Sequence, residues 1–346
     1  MHVRTLHPQF MGATIEWRET WPEARFTPHG HGGLNTQAYQ NSPVRVLFGD
    51  AEGLRQRLDI DGDFEFGIYD TLRQEGFTDY VGLPLLLTNG QRLASSWVTD
   101  RPGGFTTDDL KQLNDLIPIL AMNAEIRMNK RIAKNLLNTY VGRYAGERIL
   151  AGDITRGSGA TIRAAIWTCD MRGFSSLSER WDRDHLIDCL NHYFDVMAQP
   201  VEEHGGEILK FIGDAMLAVF PLEHPSACHR AFDAAMEAQA GMRELNQKRV
   251  ANGYEELGYG IALHVGDVMY GNIGSSNRLD FTVIGPAVNI ASRLEELSKE
   301  LRRRFLVSKD FFSMCDRSKA ELVSVGNFRL RGVSREIEAF GLPGDA

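Results

Sequence analysis

The sequence predicts two units: a smaller α/β unit in the N-terminal half, then a connecting helix, then an α+β unit whose sheet carries helices on one face. Three observations carry that expectation. Runs in the second half follow the order strand, helices, hairpin, helix, strands, which builds one antiparallel-rich sheet. A Gly-rich stretch at 151–160 (AGDITRGSGA) separates the two textures. The chain has 346 residues, more than the roughly 100–200 of one domain.

Residues 1–105 read as mixed and loop-rich, with Pro22, Pro28, Gly30, Gly32, Gly33 and Pro43 recurring. Residues 44–48 suit a short strand. Residues 80–88 (YVGLPLLLT) and 93–99 suit two strands joined at Asn89-Gly90, the strongest short-range hairpin signal. A long helix is expected next. Thr106 or Thr107 caps it, and Asp108 and Asp109 occupy its first turn. Leu110, Leu113, Ile117, Leu120 and Ala124 step 3-4-3-4 along it, and the pattern continues loosely through Met128, Ile132, Leu136 and Tyr140. Two readings of the stripe stay open, packing on its own domain or pairing with a second helix. Pro118 predicts a kink or a break.

From residue 164 the pattern is denser. Residues 164–169 form a buried strand, and Ser176-x-x-Glu179 fits a capping box at a helix start. Leu186, Leu190, Phe194 and Met197 share a helical face. Residues 206–211 and 215–220 read as strands around an Ile212-Gly213-Asp214 turn. Pro225 opens a long helix to about Val250. Strands are expected at 259–266, 268–273 and 280–284. Gly285-Pro286 then opens a helix to about Leu301. Short strands near 304–308, 322–325, 328–331 and 336–341 complete the pattern.

Composition narrows the function. At 43% hydrophobic and 24% charged, the chain is an ordinary globular one, which excludes a largely disordered or collagen-like protein. A net charge of −8 argues against a nucleic-acid or anionic-membrane surface, yet leaves room for one anion at a local site. Cys169, Cys189, Cys228 and Cys315 form no C-x-x-C pair, so reduced structural thiols in a cytoplasmic protein are expected. The first 30 residues hold no apolar signal-peptide core, and no apolar run is long enough to span a membrane. His29 and His31, with His7, lack regular metal-ligand spacing and read as surface-loop residues.

The chemistry concentrates in the second half. Asp170 follows a buried strand and Asp214 sits at a hairpin tip. Two carboxylates at edges of one sheet could converge as hard oxygen ligands for Mg²⁺ or Mn²⁺. Taken singly, each is more simply a turn residue. Met171-Arg172-Gly173-Phe174 leads into a helix, whose free N–H groups can hold a phosphate, and Arg172 and Gly173 are compatible with that. Asn289 and Arg293 are spaced i, i+4 and share a helix face, beside Glu295 and Glu296. Together they can position a hydroxyl and meet charge on a transferring phosphoryl group. Lys210 and Thr282 stand inside apolar strands, where each either snorkels to an edge or faces a ligand.

Residues 165–179 (AIWTCDMRGFSSLSE), 205–220 (GGEILKFIGDAMLAVF) and 271–295 (GNIGSSNRLDFTVIGPAVNIASRLE) together resemble the catalytic domain of the class III nucleotidyl cyclases, the adenylate and guanylate cyclase family, over roughly 160–342. The 44-residue separation of Asp170 and Asp214 fits the family pattern. The resemblance implies a ferredoxin-like catalytic domain at 151–346, a helical signalling linker at 106–150 and a regulatory unit, GAF-like in its look, at 1–105. It implies that Asp170 and Asp214, with the Met171 carbonyl, hold two Mg²⁺ or Mn²⁺ ions. Lys210 and Thr282 would read adenine, where guanylate cyclases are expected to carry Glu and Cys. Asn289 would orient the ribose, Arg293 would stabilise the transition state, and Arg331 would contact the triphosphate. Pro286 departs from the Asp or Asn of many members without removing a site residue. The implied reaction converts ATP to cyclic AMP and pyrophosphate at sites shared across a homodimer, under a small-molecule or protein regulator at the N-terminal region. A guanylate cyclase and a catalytically silent dimerising sensor are the alternatives.

Overall fold

The computed structural model describes residues 1–4, 10–316 and 321–345, and His7 lies outside them. The chain divides into two compact units, Met1–Thr139 and Tyr140–Ala346.

The first unit contains β1 (His2–Arg4), β2 (Phe10–Glu16), β3 (Arg25–Gly30), α1 (Gln37–Gln40), α2 (Pro43–Phe48), β4 (Leu54–Arg57), α3 (Gly67–Gln74), β5 (Asp79–Leu86), β6 (Arg92–Thr99) and α4 (Thr107–Val141). The strands form one six-stranded antiparallel sheet in the order β3-β2-β1-β6-β5-β4. The expected hairpin is present, with Asn89-Gly90 in the turn between β5 and β6. Residues 43–48 are helical rather than extended. The Ser42 hydroxyl accepts from the Arg45 N–H, and Pro43 stands at the first helical position, so local cap chemistry outweighs the β-branched run.

Helix α4 runs for 35 residues without a break at Pro118. Its start is held reciprocally: Asp109 N–H donates to Thr106 Oγ1, and Thr106 N–H donates to the Asp109 carboxylate. Ile117, Leu120, Ala121, Ala124 and Met128 pack against Leu85, Leu87 and Leu93 on one face of the sheet. This part of the sequence-predicted stripe therefore serves its own domain. A different row, Leu116, Ile119, Met122 and Ile126, is exposed.

The second unit contains α5 (Arg143–Leu150), β7 (Gly159–Met171), α6 (Phe174–Arg180), α7 (Arg183–Glu203), β8 (Glu207–Ile212), β9 (Ala215–Pro221), α8 (Ala227–Ala251), β10 (Tyr259–Gly274), β11 (Leu279–Ile284), α9 (Pro286–Glu300), β12 (Phe305–Ser308), α10 (Lys309–Met314), β13 (Val323–Phe328) and β14 (Ile337–Gly341). Its sheet runs β13-β14-β12-β10-β7-β9-β8, with β11 paired to β10. All pairs are antiparallel except β10 with β12.

Helices cover both faces of this sheet, not one. Ala165, Trp167 and Cys169 point into a core with residues of α7 and α8, including Tyr193 and Phe232. Ala164 and Ile166 point the other way, into a core with Ala287 and Ala291 of α9 and Ala145 of α5. The uninterrupted apolar run of β7 is the trace of burial on both sides. Several boundaries differ from the sequence expectation. The strands expected at 259–266 and 268–273 are one strand, β10, because β7 pairs with it from Tyr259 to Gly271. Residues 322–325 and 328–331 give the single strand β13, which ends at Phe328. Ser176 is no cap: α6 starts at Phe174 behind Gly173, and the side-chain cap belongs to Asp182 at the start of α7. The division of the units falls at 139/140 rather than in 151–160, because α5 packs on the second unit. There Ala145 N–H donates to Glu207 Oε1 at 3.3 Å, and Tyr144 stacks on Tyr270.

Cys169, Cys189, Cys228 and Cys315 are all buried, and none of the four forms a disulfide. No helix among the described residues is long and apolar enough to cross a membrane.

Candidate active site

Asp170 is the penultimate residue of β7, and Asp214 occupies the β8–β9 turn. Strand β9 lies directly beside β7, with Cys169 opposite Met216. The turn therefore arrives next to the end of β7, and the two half-buried carboxyls come within hydrogen-bonding reach. Burial first, and then the neighbouring Asp214, push the Asp170 carboxyl up to about 7; Glu295 adds to the rise and Arg172 opposes it. Such a pair carries more negative charge than its surroundings neutralise. Hard oxygen donors in that state fit Mg²⁺ or Mn²⁺. No group of three or more His, Cys, Asp or Glu gathers as a metal cage among the described residues. Mg²⁺ is usually held by one or two carboxylates and completed by substrate phosphates and water. Met171, the residue after Asp170, is buried at the strand end.

Gly173 has φ 73°, a left-handed conformation that turns the chain from β7 into α6. Phe174 begins that helix and packs against the α7–α8 core. Gly173 is exposed, so the start of α6 opens to solvent beside Asp170 and Met171.

Arg172, which the sequence suggests for a phosphate, is turned to α9 instead. Its guanidinium donates to Glu295 Oε1 at 2.6 Å and to the Ser298 hydroxyl, both on α9. A Cβ at Gly260, across from Asp170 in the sheet, would collide with that guanidinium. Glu295 is 7% exposed and belongs to the buried side of α9, not to the solvated face its neighbours suggest. The glycines at 258 and 260 were the available signal, since they leave room for a long side chain to cross the strand.

Asn289 and Arg293 do share a face of α9, turned away from the buried Ala291, Leu294 and Ser298. Arg293 is held by Glu296, also on that face. Lys210 Nζ lies 3.7 Å from Asp280 Oδ2. Asp280 stands two residues before Thr282 on β11. Thr282 is 5% exposed, and its hydroxyl has no hydrogen-bond partner among the described residues. A buried hydroxyl left unpaired costs about 1–3 kcal/mol, which a ligand atom can relieve. Asp280 was missed because Asp beside a turn reads as turn chemistry.

The structure does not bring all these residues to one place within a chain. Asp170 lies opposite Gly260 in the register of β7 with β10, whereas Thr282 lies opposite Gly271, which faces Gly159 at the far end of β7. No hydrogen bond or ion pair joins Asp170 or Asp214 to Lys210, Asn289 or Arg293 among the described residues. Arg331 is exposed between β13 and β14, at the opposite edge of the sheet from β8, and meets none of the other candidates.

Comparison with known proteins bears on the same segment. Residues 160–344, more than half the chain, match the family described as the adenylate and guanylate cyclase catalytic domain. An adenylate cyclase of Anabaena cylindrica is 36% identical over 161 residues, 45% of this chain and 32% of that protein. The terminal-differentiation-specific adenylate cyclase of Dictyostelium discoideum is 31% identical over 202 residues, 58% of this chain and 9% of that one. The chain spans about a third of the length of the first curated relatives it matches. Among solved structures, a bacterial light-regulated adenylyl cyclase superposes with a TM-score of 0.55 at 25% identity, covering 66% of this chain and 63% of that chain.

Proposed function

The chain belongs to the adenylate and guanylate cyclase catalytic-domain family, and within that family we propose that it is an adenylate cyclase, converting ATP to 3′,5′-cyclic AMP and pyrophosphate. The observation that carries the reading is the convergence of Asp170 and Asp214 at adjoining strand ends, with Asn289 and Arg293 on one open helix face.

In this reaction the ribose 3′-oxygen bonds to the α-phosphorus, the bond from that phosphorus to the pyrophosphate oxygen breaks, and the 3′-hydroxyl proton passes to solvent. Divalent cations held by Asp170, Asp214 and the Met171 carbonyl would lower the hydroxyl's pKa and offset phosphate charge. Asn289 orients the ribose. Arg293 meets the charge that develops on the α-phosphoryl group, where a fixed cation is worth most. Gly173 and Phe174 present backbone N–H groups to the phosphates, and Arg331 reaches the triphosphate.

Adenine is favoured over guanine by Lys210 and Thr282. Lys donates to N1 of adenine, an acceptor; N1 of guanine carries a hydrogen and would meet Lys donor to donor. The unpaired Thr282 hydroxyl, free to accept from the exocyclic amine, supports the same choice.

The register that separates Asp170 from Thr282 supports a two-fold homodimer in which each site takes its carboxylates from one chain and its base- and ribose-reading residues from the other. The exposed row Leu116, Ile119, Met122 and Ile126 on α4 gives a second copy an apolar face to pair with. Regulation by the first unit belongs to the same reading.

Incubation with Mn²⁺ and either ATP or GTP, followed by chromatography of the products, tests the function. Cyclic AMP from ATP with little cyclic GMP from GTP is expected. No cyclic product across metals and protein concentrations would favour a silent sensor. Asp170→Ala and Arg293→Ala are each expected to be inactive and to regain partial activity when mixed. Absence of recovery in verified heterodimers would exclude shared sites.

A further inference from the structure

The first unit holds a cavity of about 1350 Å³ on the face of its sheet away from α4. Its wall is largely apolar and aromatic, with Phe48, Ile68, Leu72, Phe77, Tyr80 and Val98 among its residues. The space is larger than the roughly 300–1,000 Å³ of an ordinary small-molecule pocket. It is also visible in the burial of the strand beneath it. Ser96 and Val98 of β6, which line it, are only half-buried although α2 and α3 lie on that side.

Polar groups are present, and they are already ordered. The Thr14 hydroxyl bridges two imidazoles, 2.9 Å from His2 Nδ1 and 2.7 Å from His29 Nε2. The Tyr80 and Ser96 hydroxyls pair at 2.9 Å, and Tyr80 is 2% exposed. Burial pushes the His2 imidazole down to about 4, which keeps that ring uncharged at neutral pH. Arg18 is the one Lys or Arg in the lining. It is committed elsewhere, 2.9 Å from Glu75 and placed over the Trp21 and Phe77 rings. The N-terminal ammonium donates to the Ile15 carbonyl. The two cations of the wall are already engaged, Arg18 by Glu75 and Glu16 and the ammonium by the Ile15 carbonyl and the charge of Glu16, so a phosphate placed in this cavity would lose its water and have to compete for them.

We propose that this cavity binds an uncharged, largely apolar small molecule carrying a hydrogen-bonding group that meets the Thr14–histidine end, and that nucleotides, cyclic AMP included, do not occupy it. The inference concerns the first unit alone and stands whether or not the second unit makes cyclic AMP.

N-phenyl-1-naphthylamine, an uncharged aromatic amine whose fluorescence rises when it leaves water, serves as the probe on the full chain. One saturable site per chain is expected. Ser96→Phe and Val98→Trp each place a ring in the cavity and should weaken binding by about tenfold or more, a loss of about 1.4 kcal/mol. Their thermal unfolding shows which of the two has kept the fold, and a folded variant suffices. Thr14→Val should weaken 1-naphthol, which presents a hydroxyl, several-fold more than it weakens naphthalene. Binding that survives in a folded filling variant would overturn the proposal, as would the absence of saturable binding. Displacement of the probe by cyclic AMP or ATP in competition with it would overturn the charge argument.

Discussion

The two sheets of this protein treat their faces differently. In the second unit both faces are sealed: Trp167, Tyr193 and Phe232 are completely buried on one side and Ile166 and Val219 on the other. In the first unit, α4 seals one face and the other borders an open cavity. The contrast separates two tasks. Carboxylates that must meet within hydrogen-bonding reach need a scaffold with no slack, because close packing transmits small displacements. A chamber for a guest needs volume left unfilled and side chains that accept the lost packing.

The widest gap between the units should appear in catalysis. Asp170→Ala is expected to lower cyclic AMP formation by about 10³-fold or more, equivalent to about 4 kcal/mol of transition-state stabilisation. Unfolding should stay unchanged or become harder, since one of two like charges is gone. A mutant that keeps even a tenth of the activity would break the assignment of function to the second unit. Packing comes next. Phe232→Ala should cost about 3–5 kcal/mol in denaturant unfolding, and Val98→Ala, at the edge of the cavity, about 1 kcal/mol. Equal costs would erase the contrast.

Arg172→Ala sharpens the comparison within the second unit. It leaves Glu295 buried without its cation and should cost about 2–3 kcal/mol, with Glu295→Gln in the same chain recovering part of the loss. The smallest effect is a pH slope. The Asp170 carboxyl is raised in the folded protein, so the folded state binds more protons than the unfolded one between the usual carboxylate range and about 7. Metal-free protein should therefore lose stability as pH rises through that window, and Asp170→Asn should flatten the slope. Stability that rises over the same window would contradict the crowding of Asp170 and Asp214.

Legibility followed the same division. The strands and turns around Asp170, Lys210, Asp214 and Thr282 could be read because apolar runs broken by single polar residues leave a sharp pattern. The i, i+4 pair Asn289 and Arg293 needed only helix geometry. What escaped was carried by tertiary contact. Glu295 looks solvated beside Glu296 until Arg172 reaches it across Gly260. Helices on both faces of the sheet follow from partners far apart in sequence. Residues 44–48 read as a strand because Val and Phe favour one, while Ser42 and Pro43 supplied a helix start. The cavity had no signature, because empty space is made by what the surrounding residues fail to fill.

Strand β7 is paired to β10 residue by residue from Gly159 to Met171. Along it, odd positions such as Ala165, Trp167 and Cys169 serve one core and even positions such as Ala164 and Ile166 the other. A slip of one residue would exchange the two sets at every position at once and carry Asp170 away from Asp214. The strand thus works like a parity check on the chain, in which a single inserted or deleted residue is detected everywhere along its length. Changes of length in this protein's descendants should accordingly collect in 151–156 and 276–277, where the ladder has ended and the count no longer matters.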